Sequence, residues 1–181
     1  RSEWLYIEGY RFSVPEGAEA VDFAIETAKK YDTKIAVTFS DVFIVNLFRD
    51  KLEKTVNNAD LIFCNEQEAR AYTGADDSQE AFKLLGDQVP NVVVTLGEKG
   101  SMIKWDGEIH SIPVYEASPL DATGAGDMFA AGFFFGINKW NDPVKAGHLA
   151  SLAGAKIVSQ LGARYSGNIG ELIEEIEQKL A

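Results

Sequence analysis

Leu61-Ile-Phe-Cys64-Asn65-Glu-Gln-Glu68 and Val92-Val-Val-Thr95 bound the stretch whose reading decides the fold. Leu61 to Cys64 is a continuous apolar run too short for a helix, and Asn65 then opens a helix expected to reach Tyr72. Gly74 and the cluster Asp76-Asp77-Ser78 break that helix, a second is expected over roughly Ser78 to Leu85, and Val92 to Thr95 is again a buried strand. Strands that are apolar throughout, separated by amphipathic helices, form a parallel sheet covered on both faces.

The pattern extends in both directions. Upstream, Lys34-Ile-Ala-Val-Thr38 is a short strand, and about Val42 to Val56 reads as helix. Before it, Ser13-Val-Pro-Glu16 reads as a helix start, with Ser13 as N-cap and Glu16 completing a capping box. Val21, Ala24, Ile25 and Ala28 give that helix one buried face. Trp4-Leu-Tyr-Ile begins a strand almost at the first residue, a start that suits a complete domain and equally a chain cut from something larger. Downstream, Met102-Ile-Lys-Trp105 and Glu108-Ile-His-Ser-Ile112 flank Asp106-Gly107, a hairpin turn that gives the sheet an antiparallel edge. Helices follow over about Gly126 to Asn138 and Asp142 to Ser159. A last one starts at Ile169, capped by Asn168 and Glu171, with Leu172, Ile173, Ile176 and Leu180 as its buried stripe. No repeat or linker interrupts residues 1–181, which read as a single domain.

With 17 basic against 28 acidic residues the net charge is -11, which disfavours a non-specific nucleic-acid surface. An anionic ligand must instead be met by local donors. Cys64 is the only cysteine, so it reads as a small core residue, and His110 and His148 are too few for a zinc set. The longest apolar candidate, Met128 to Ile137, is interrupted by Gly132 and Gly136 and too short to span a membrane. With no signal-peptide layout at Arg1-Ser-Glu-Trp4, a soluble, cytoplasmic protein is expected.

Chemistry concentrates in Asp121-Ala-Thr-Gly-Ala-Gly-Asp127, which runs directly into Met128-Phe-Ala-Ala-Gly-Phe133. Gly124, Ala125 and Gly126 sit where a loop becomes a helix and leave backbone N–H groups uncovered, as an anion requires. Asp127 falls in the first turn, beside those donors. The same spacing also serves a helix cap and a tight turn. A dinucleotide site would need a third glycine where Phe129 stands and an acidic residue after a following strand. Neither a Walker A sequence nor a G-x-S-x-G elbow is present.

The motif resembles the C-terminal signature of the ribokinase-like (PfkB) carbohydrate and nucleoside kinases. Asn65-Glu-Gln-Glu68 resembles that family's N-x-x-E motif, Thr95-Leu-Gly-Glu-Lys-Gly100 its nucleotide segment, and Gln160-Leu-Gly-Ala-Arg164 its loop near the nucleotide. The four occur in the family's order across the chain, and Glu8-Gly-Tyr10, Asn65-Glu-Gln-Glu68 and Gln160-Leu-Gly-Ala-Arg164 are most similar to the adenosine-kinase-like branch. The resemblance implies a three-layer α-β-α, Rossmann-like fold with a mostly parallel sheet and an antiparallel edge hairpin. It implies transfer of the ATP γ-phosphoryl to a hydroxymethyl group of a sugar or nucleoside. Asp127 matches the catalytic base, and the N–H groups of Gly124, Ala125 and Gly126 match the anion hole. Asn65 and Glu68 match the pair that organises Mg2+ and phosphates through water. Thr95, Gly97, Gly100, Thr123, Gly162 and Ala155 match nucleotide-lining positions. Asp121 and the Val158 to Ser166 loop match a K+ site in members that have one. His148 and Ser151 lie on the helix bordering the adenine pocket, His148 without a catalytic role.

Ala122 stands where a threonine or serine is common. The family's N-terminal half, with its Gly-Gly motif, acceptor-binding residues and lid, is not recognised within residues 1–181. The chain is therefore expected to be the C-terminal, nucleotide-binding portion, completed by an N-terminal segment or a homodimer partner. The alternatives are a non-catalytic nucleotide-binding module lacking the acceptor site and a dinucleotide-dependent oxidoreductase.

Overall fold

The computed structural model describes residues 2–180. Its sheet holds six strands in the order β1 to β6: Trp4–Glu8, Lys34–Thr38, Leu61–Asn65, Asn91–Thr95, Ser101–Trp105 and Glu108–Ile112. The first four are parallel, with Glu8 opposite Thr38, Thr38 opposite Phe63 and Asn65 opposite Thr95. Two compact units divide the chain: Arg1–Thr95 with Lys104–Ile109, and Leu96–Ile103 with His110–Ala181.

In the first unit, Ile35 to Val37, Leu61, Ile62 and Val92 to Val94 are fully buried or nearly so. This explains their unbroken apolar runs: both sheet faces are covered. The helices are α1 (Gly17–Lys30), α2 (Val42–Leu47), α3 (Arg49–Val56), α4 (Glu66–Thr73) and α5 (Ser78–Gln88). The structure departs from the sequence pattern at two places. Ser13 does not cap α1; it ends a 3-10 turn over Gly9–Ser13, and its hydroxyl donates to the Tyr10 carbonyl at 2.7 Å. The helix begins four residues later, behind Glu16 and without a side-chain cap, at a glycine whose Cβ would lie 1.7 Å from the Arg11 carbonyl oxygen. The segment Val42 to Val56 is two helices, broken at Phe48, where the backbone leaves helical geometry (φ -122, ψ 30). The tip of the hairpin belongs to this unit. Asp106 (φ 49) and Gly107 (φ 87) both take positive φ, the two-residue turn that matches strand twist.

The second unit contains α6 (Ala125–Trp140), α7 (Pro143–Val158) and α8 (Ile169–Lys179). Asp142 caps α7 through the Val144 and Lys145 N–H groups, and Asn168 caps α8 through that of Gly170. Leu172 and Ile176 bury themselves against Leu149, Leu152 and Ala153, with Ile173 and Leu180 only partly buried. Helices α6 and α7 approach closely because two glycines face two alanines. A Cβ on Gly132 would meet Ala150 Cα at 2.9 Å, and one on Gly136 would meet Ala146 Cα at 2.5 Å. Gly136→Ala is therefore expected to destabilise by about 1–3 kcal/mol, the overpacking exceeding the gain of about 1 kcal/mol in helix propensity. Gly154→Ala, where the nearest atom is Phe129 Cδ2 at 3.9 Å, is expected to stabilise. Urea midpoints that move in the same direction for both variants would contradict this packing. Among the described residues, no helix is long and apolar enough to cross a membrane.

Candidate active site

Parallel strands place ligands beyond their carboxyl ends. In the first unit those ends carry Glu8, Thr38, Asn65 and Thr95. Asn65 closes β3 in extended geometry and caps α4: its Oδ1 accepts from the Gln67 and Glu68 N–H groups, each at 2.9 Å. Glu68 returns both bonds, Oε2 accepting from Asn65 N at 3.0 Å and Oε1 from Asn65 Nδ2 at 2.8 Å. The N-x-x-E spacing is thus a complete capping box, and Glu68 is 5% exposed rather than a solvated helix residue. The spacing itself was the signal for this box.

Burial raises the Glu68 pKa above the ordinary carboxylate value, the Asn65 hydrogen bonds oppose that shift, and the Asp41 charge adds to it. The folded state therefore holds the Glu68 proton to higher pH than the unfolded chain does. Its contribution to stability falls as pH rises from the ordinary glutamate range through the raised folded value. In Glu68→Gln the melting temperature is expected to lose this downward slope, a difference read from thermal melts at stepped pH. Identical slopes in the two proteins would refute it. Cys64, buried beside this box, has its thiol pKa pushed up first by burial and then by the Glu68 charge.

Two aromatic side chains missed by the sequence reading stand at the same strand ends. Tyr10, in the turn after β1, and Phe43, in α2 after β2, are 47% and 43% exposed, with ring centroids 6.2 Å apart and tilted by 39°. Periodicity cannot announce them, because it marks apolar residues that are buried. An aromatic residue just past each strand end was the available cue.

The second unit holds the Gly-rich loop. Gly124 adopts φ 79 as the N-cap of α6 and makes no side-chain cap. A Cβ there would meet Ala163 Cβ at 2.8 Å. The Ala125 N–H donates to the Ala122 carbonyl at 3.1 Å and that of Met128 to the Gly124 carbonyl at 2.9 Å. The N–H groups of Gly124, Gly126 and Asp127 have no acceptor among the described residues. Of the three donors expected from the sequence, Gly124 and Gly126 remain open, Ala125 closes the turn, and Asp127 supplies a third. The Asp127 side chain is exposed in the first turn of α6, where the positive end of the helix dipole favours its charge.

Asp121 braces this loop. Its Oδ1 accepts from Thr123 N at 2.9 Å and Thr123 Oγ1 at 2.6 Å, and its Oδ2 from Gly162 N at 2.9 Å. Those bonds, led by the Thr123 hydroxyl, lower its pKa to about 2. Gln160 staples the facing loop, its Nε2 donating to Arg164 O at 2.6 Å and its Oε1 accepting from Ser166. After Thr95, Gly97–Lys99 fold as a 3-10 turn, with positive φ at Gly97 (60) and at its C-cap Gly100 (87), where a Cβ would lie 2.1 Å from the Ile112 carbonyl oxygen. Ala155 is buried with Leu152 and Ala153, and Ser151 donates to the Pro113 carbonyl at 2.8 Å. His148 Nδ1 and the Tyr115 hydroxyl share a hydrogen bond at 3.0 Å, and burial lowers the His148 pKa.

The model of the pfkB family of carbohydrate kinases matches residues 2–169. The chain belongs to that family. The pfkB assignment agrees with similarity to curated proteins and solved structures. Cytidine kinase of Thermococcus kodakarensis is 39% identical over 95 residues, covering 50% of this chain and 34% of that protein. Adenosine kinase 2 of Arabidopsis thaliana is 28% identical, covering 91% of this chain and 52% of that one. The crystal structure of adenosine kinase from Sinorhizobium meliloti, 30% identical, superposes with a TM-score of 0.90 over 99% of this chain and 55% of its own. The matches thus span about half the length of most of these relatives, and a third of the first, where only half of this chain is aligned. Its mixed sheet, mostly parallel with antiparallel edge strands and flanked by helices, is that of ribokinase-fold kinases.

Proposed function

We propose that this chain carries the ATP-binding and catalytic-base portion of a pfkB kinase that phosphorylates the hydroxymethyl group of a nucleoside. The observation that carries the reading is the Asp127 carboxylate in the first turn of α6, the turn that opens on the free N–H groups of Gly124, Gly126 and Asp127. Phosphoryl transfer depends on positioning and charge neutralisation. As the acceptor oxygen attacks the γ-phosphorus, Asp127 takes the hydroxyl proton and the bond to the β-phosphate oxygen breaks, releasing ADP. The three N–H groups meet the charge on the transferring phosphoryl.

The Asn65–Glu68 pair suits Mg2+. Glu68 spends one lone pair of each oxygen on Asn65 and keeps the others for metal-bound water, which Mg2+ retains readily. The magnesium ion would supply neutralisation of phosphate charge. The fit to K+ is poorer, because Asp121 already accepts three donors and the Val158 carbonyl accepts both Leu120 and Asp121 N–H. The aromatic pair Tyr10–Phe43 favours a nucleoside over a free sugar, since a base presents a π-face to stack and a sugar does not.

The test is phosphate transfer from ATP to adenosine, cytidine, ribose and fructose. Nucleosides are expected to be the better acceptors, and Phe43→Ala is expected to raise their KM by about 10–100-fold while leaving that for ATP unchanged. Better transfer to fructose would remove the nucleoside assignment. ATP binding without turnover on any acceptor would favour the non-catalytic module.

A further inference from the structure

The turn between β2 and α2 concentrates two costs in one residue. Ser40 has φ 69, a left-handed value at a non-glycine residue, and the Asp41 N–H donates back to the Phe39 carbonyl at 2.9 Å. An i to i+2 bond around a positive central φ is the strained form of the γ-turn, which is rare. The Ser40 hydroxyl is also shut off from solvent and has no hydrogen-bond partner. A glycine would avoid both penalties. Strain of this kind persists only where the surroundings over-determine it.

Phe39 is fully buried, its N–H donates to the Phe63 carbonyl at 3.1 Å, and its ring lies 4.7 Å from that of Tyr72. Its carbonyl lies against Gly9, where a Cβ would stand 2.6 Å away, so the turn carrying Tyr10 packs directly on the backbone of the Ser40 turn. On the other side, Asp41 Oδ1 accepts from Phe43 N at 2.8 Å and fixes the first turn of α2. Phe39 and Asp41 are thus each anchored outside the turn as well as bonded across it, and Ser40, whose N–H donates to Thr38 Oγ1 at 3.4 Å, takes up the reversal between them. The ring that depends on this reversal is Phe43, and the ring beside it is Tyr10.

We propose that Ser40 is a positioning residue whose left-handed γ-turn holds the Phe43 ring at its spacing from Tyr10, and so sets the affinity of the aromatic pair for a nucleoside. The stiffness of the turn, rather than the hydroxyl, is what acts. The affinity part rests on the nucleoside reading above; the positioning part does not.

Two variants of the full chain separate the backbone from the hydroxyl. Ser40→Ala removes the unpartnered group and keeps a side chain that confines the turn. Ser40→Gly removes both and frees the backbone. Both are expected to raise the melting temperature, Ser40→Gly by about 2–6 °C. Only Ser40→Gly is expected to lower hydrogen-exchange protection at the Phe43 and Ile44 amides, by about tenfold, and to raise the KM for adenosine or cytidine by about tenfold with kcat and the KM for ATP unmoved. A merely structural role would move melting temperature without that split. Unchanged exchange at Phe43 in Ser40→Gly, or the same loosening in Ser40→Ala, would overturn the proposal. If exchange loosens as expected but the wild-type chain takes no nucleoside, the nucleoside reading fails and the positioning role of Ser40 stands.

Discussion

In Asp127→Asn, kcat for phosphoryl transfer is expected to fall by about 10²–10⁴-fold, the range for removing a positioned general base, with the KM for ATP within about twofold of wild type. Asparagine keeps the size and the hydrogen-bonding reach of the side chain but cannot accept the acceptor's proton. The loss should be confined to chemistry because Asp127 supports little structure. It caps nothing, its side chain is exposed, and only its favourable place at the positive end of α6 is given up. That interaction amounts to about 0.3–1 kcal/mol, so the melting temperature should shift by only a few degrees. ATP should still bind, because the open N–H groups of Gly124, Gly126 and Asp127 are backbone and survive the substitution. Single-turnover measurements on the best acceptor, with ATP affinity measured separately, check both halves. Undiminished turnover would remove Asp127 from the role of base and leave the loop as an anion site only.

The parts of the fold that were legible in sequence are those whose local chemistry and tertiary role coincide. Asp106-Gly107 demands positive φ at both positions, and the hairpin is there. Asn65 sits between an apolar run and a helical period, and it is both strand end and cap. Reading failed where a distant contact overrode a local signal. Ser13-Val-Pro-Glu16 has every mark of a helix start, yet the approach of Arg11 to Gly17 delays the helix. The apolar period from Val42 to Val56 hides the break at Phe48, because both helices bury residues in similar phase: Ile44 and Val45, then Leu52 and Val56. Among the candidate residues, motif spacing singled out the Gly-rich loop of the second unit and the Asn65–Glu68 pair of the first. It did not show which N–H groups the turn consumes, since only the folded loop sends that of Ala125 to Ala122. Tyr10, Phe43 and Ser40 escaped for a related reason: half-exposed rings and a strained serine carry no periodic signature.

Gly124→Val should be the most damaging change that leaves the Asp127 side chain in place. Valine at φ 79 costs about 1–3 kcal/mol in backbone strain alone, because a β-branched side chain tolerates the left-handed region poorly. Its Cβ would also stand 2.8 Å from that of Ala163, so either the α6 entry or the 160–166 loop must shift. Displacing that loop withdraws the Gly162 N–H from Asp121, and with it part of what holds the Asp121 pKa at about 2. Three linked results are expected: a lower melting temperature, an Asp121 pKa that moves up toward the ordinary aspartate value when followed by NMR titration, and a kcat reduced by about 10²–10³-fold, the effect of losing one aligned oxyanion-type donor. Gly162→Ala separates strain from displacement. It shares the positive φ (84) but has no atom within 4 Å of the added Cβ, so its N–H can stay on Asp121. That variant should lose stability while keeping the depressed Asp121 pKa and most of the activity. If Gly124→Val loses stability but retains both the low Asp121 pKa and wild-type turnover, the 121–126 loop is a turn and nothing more, and the anion site must be sought elsewhere in the chain.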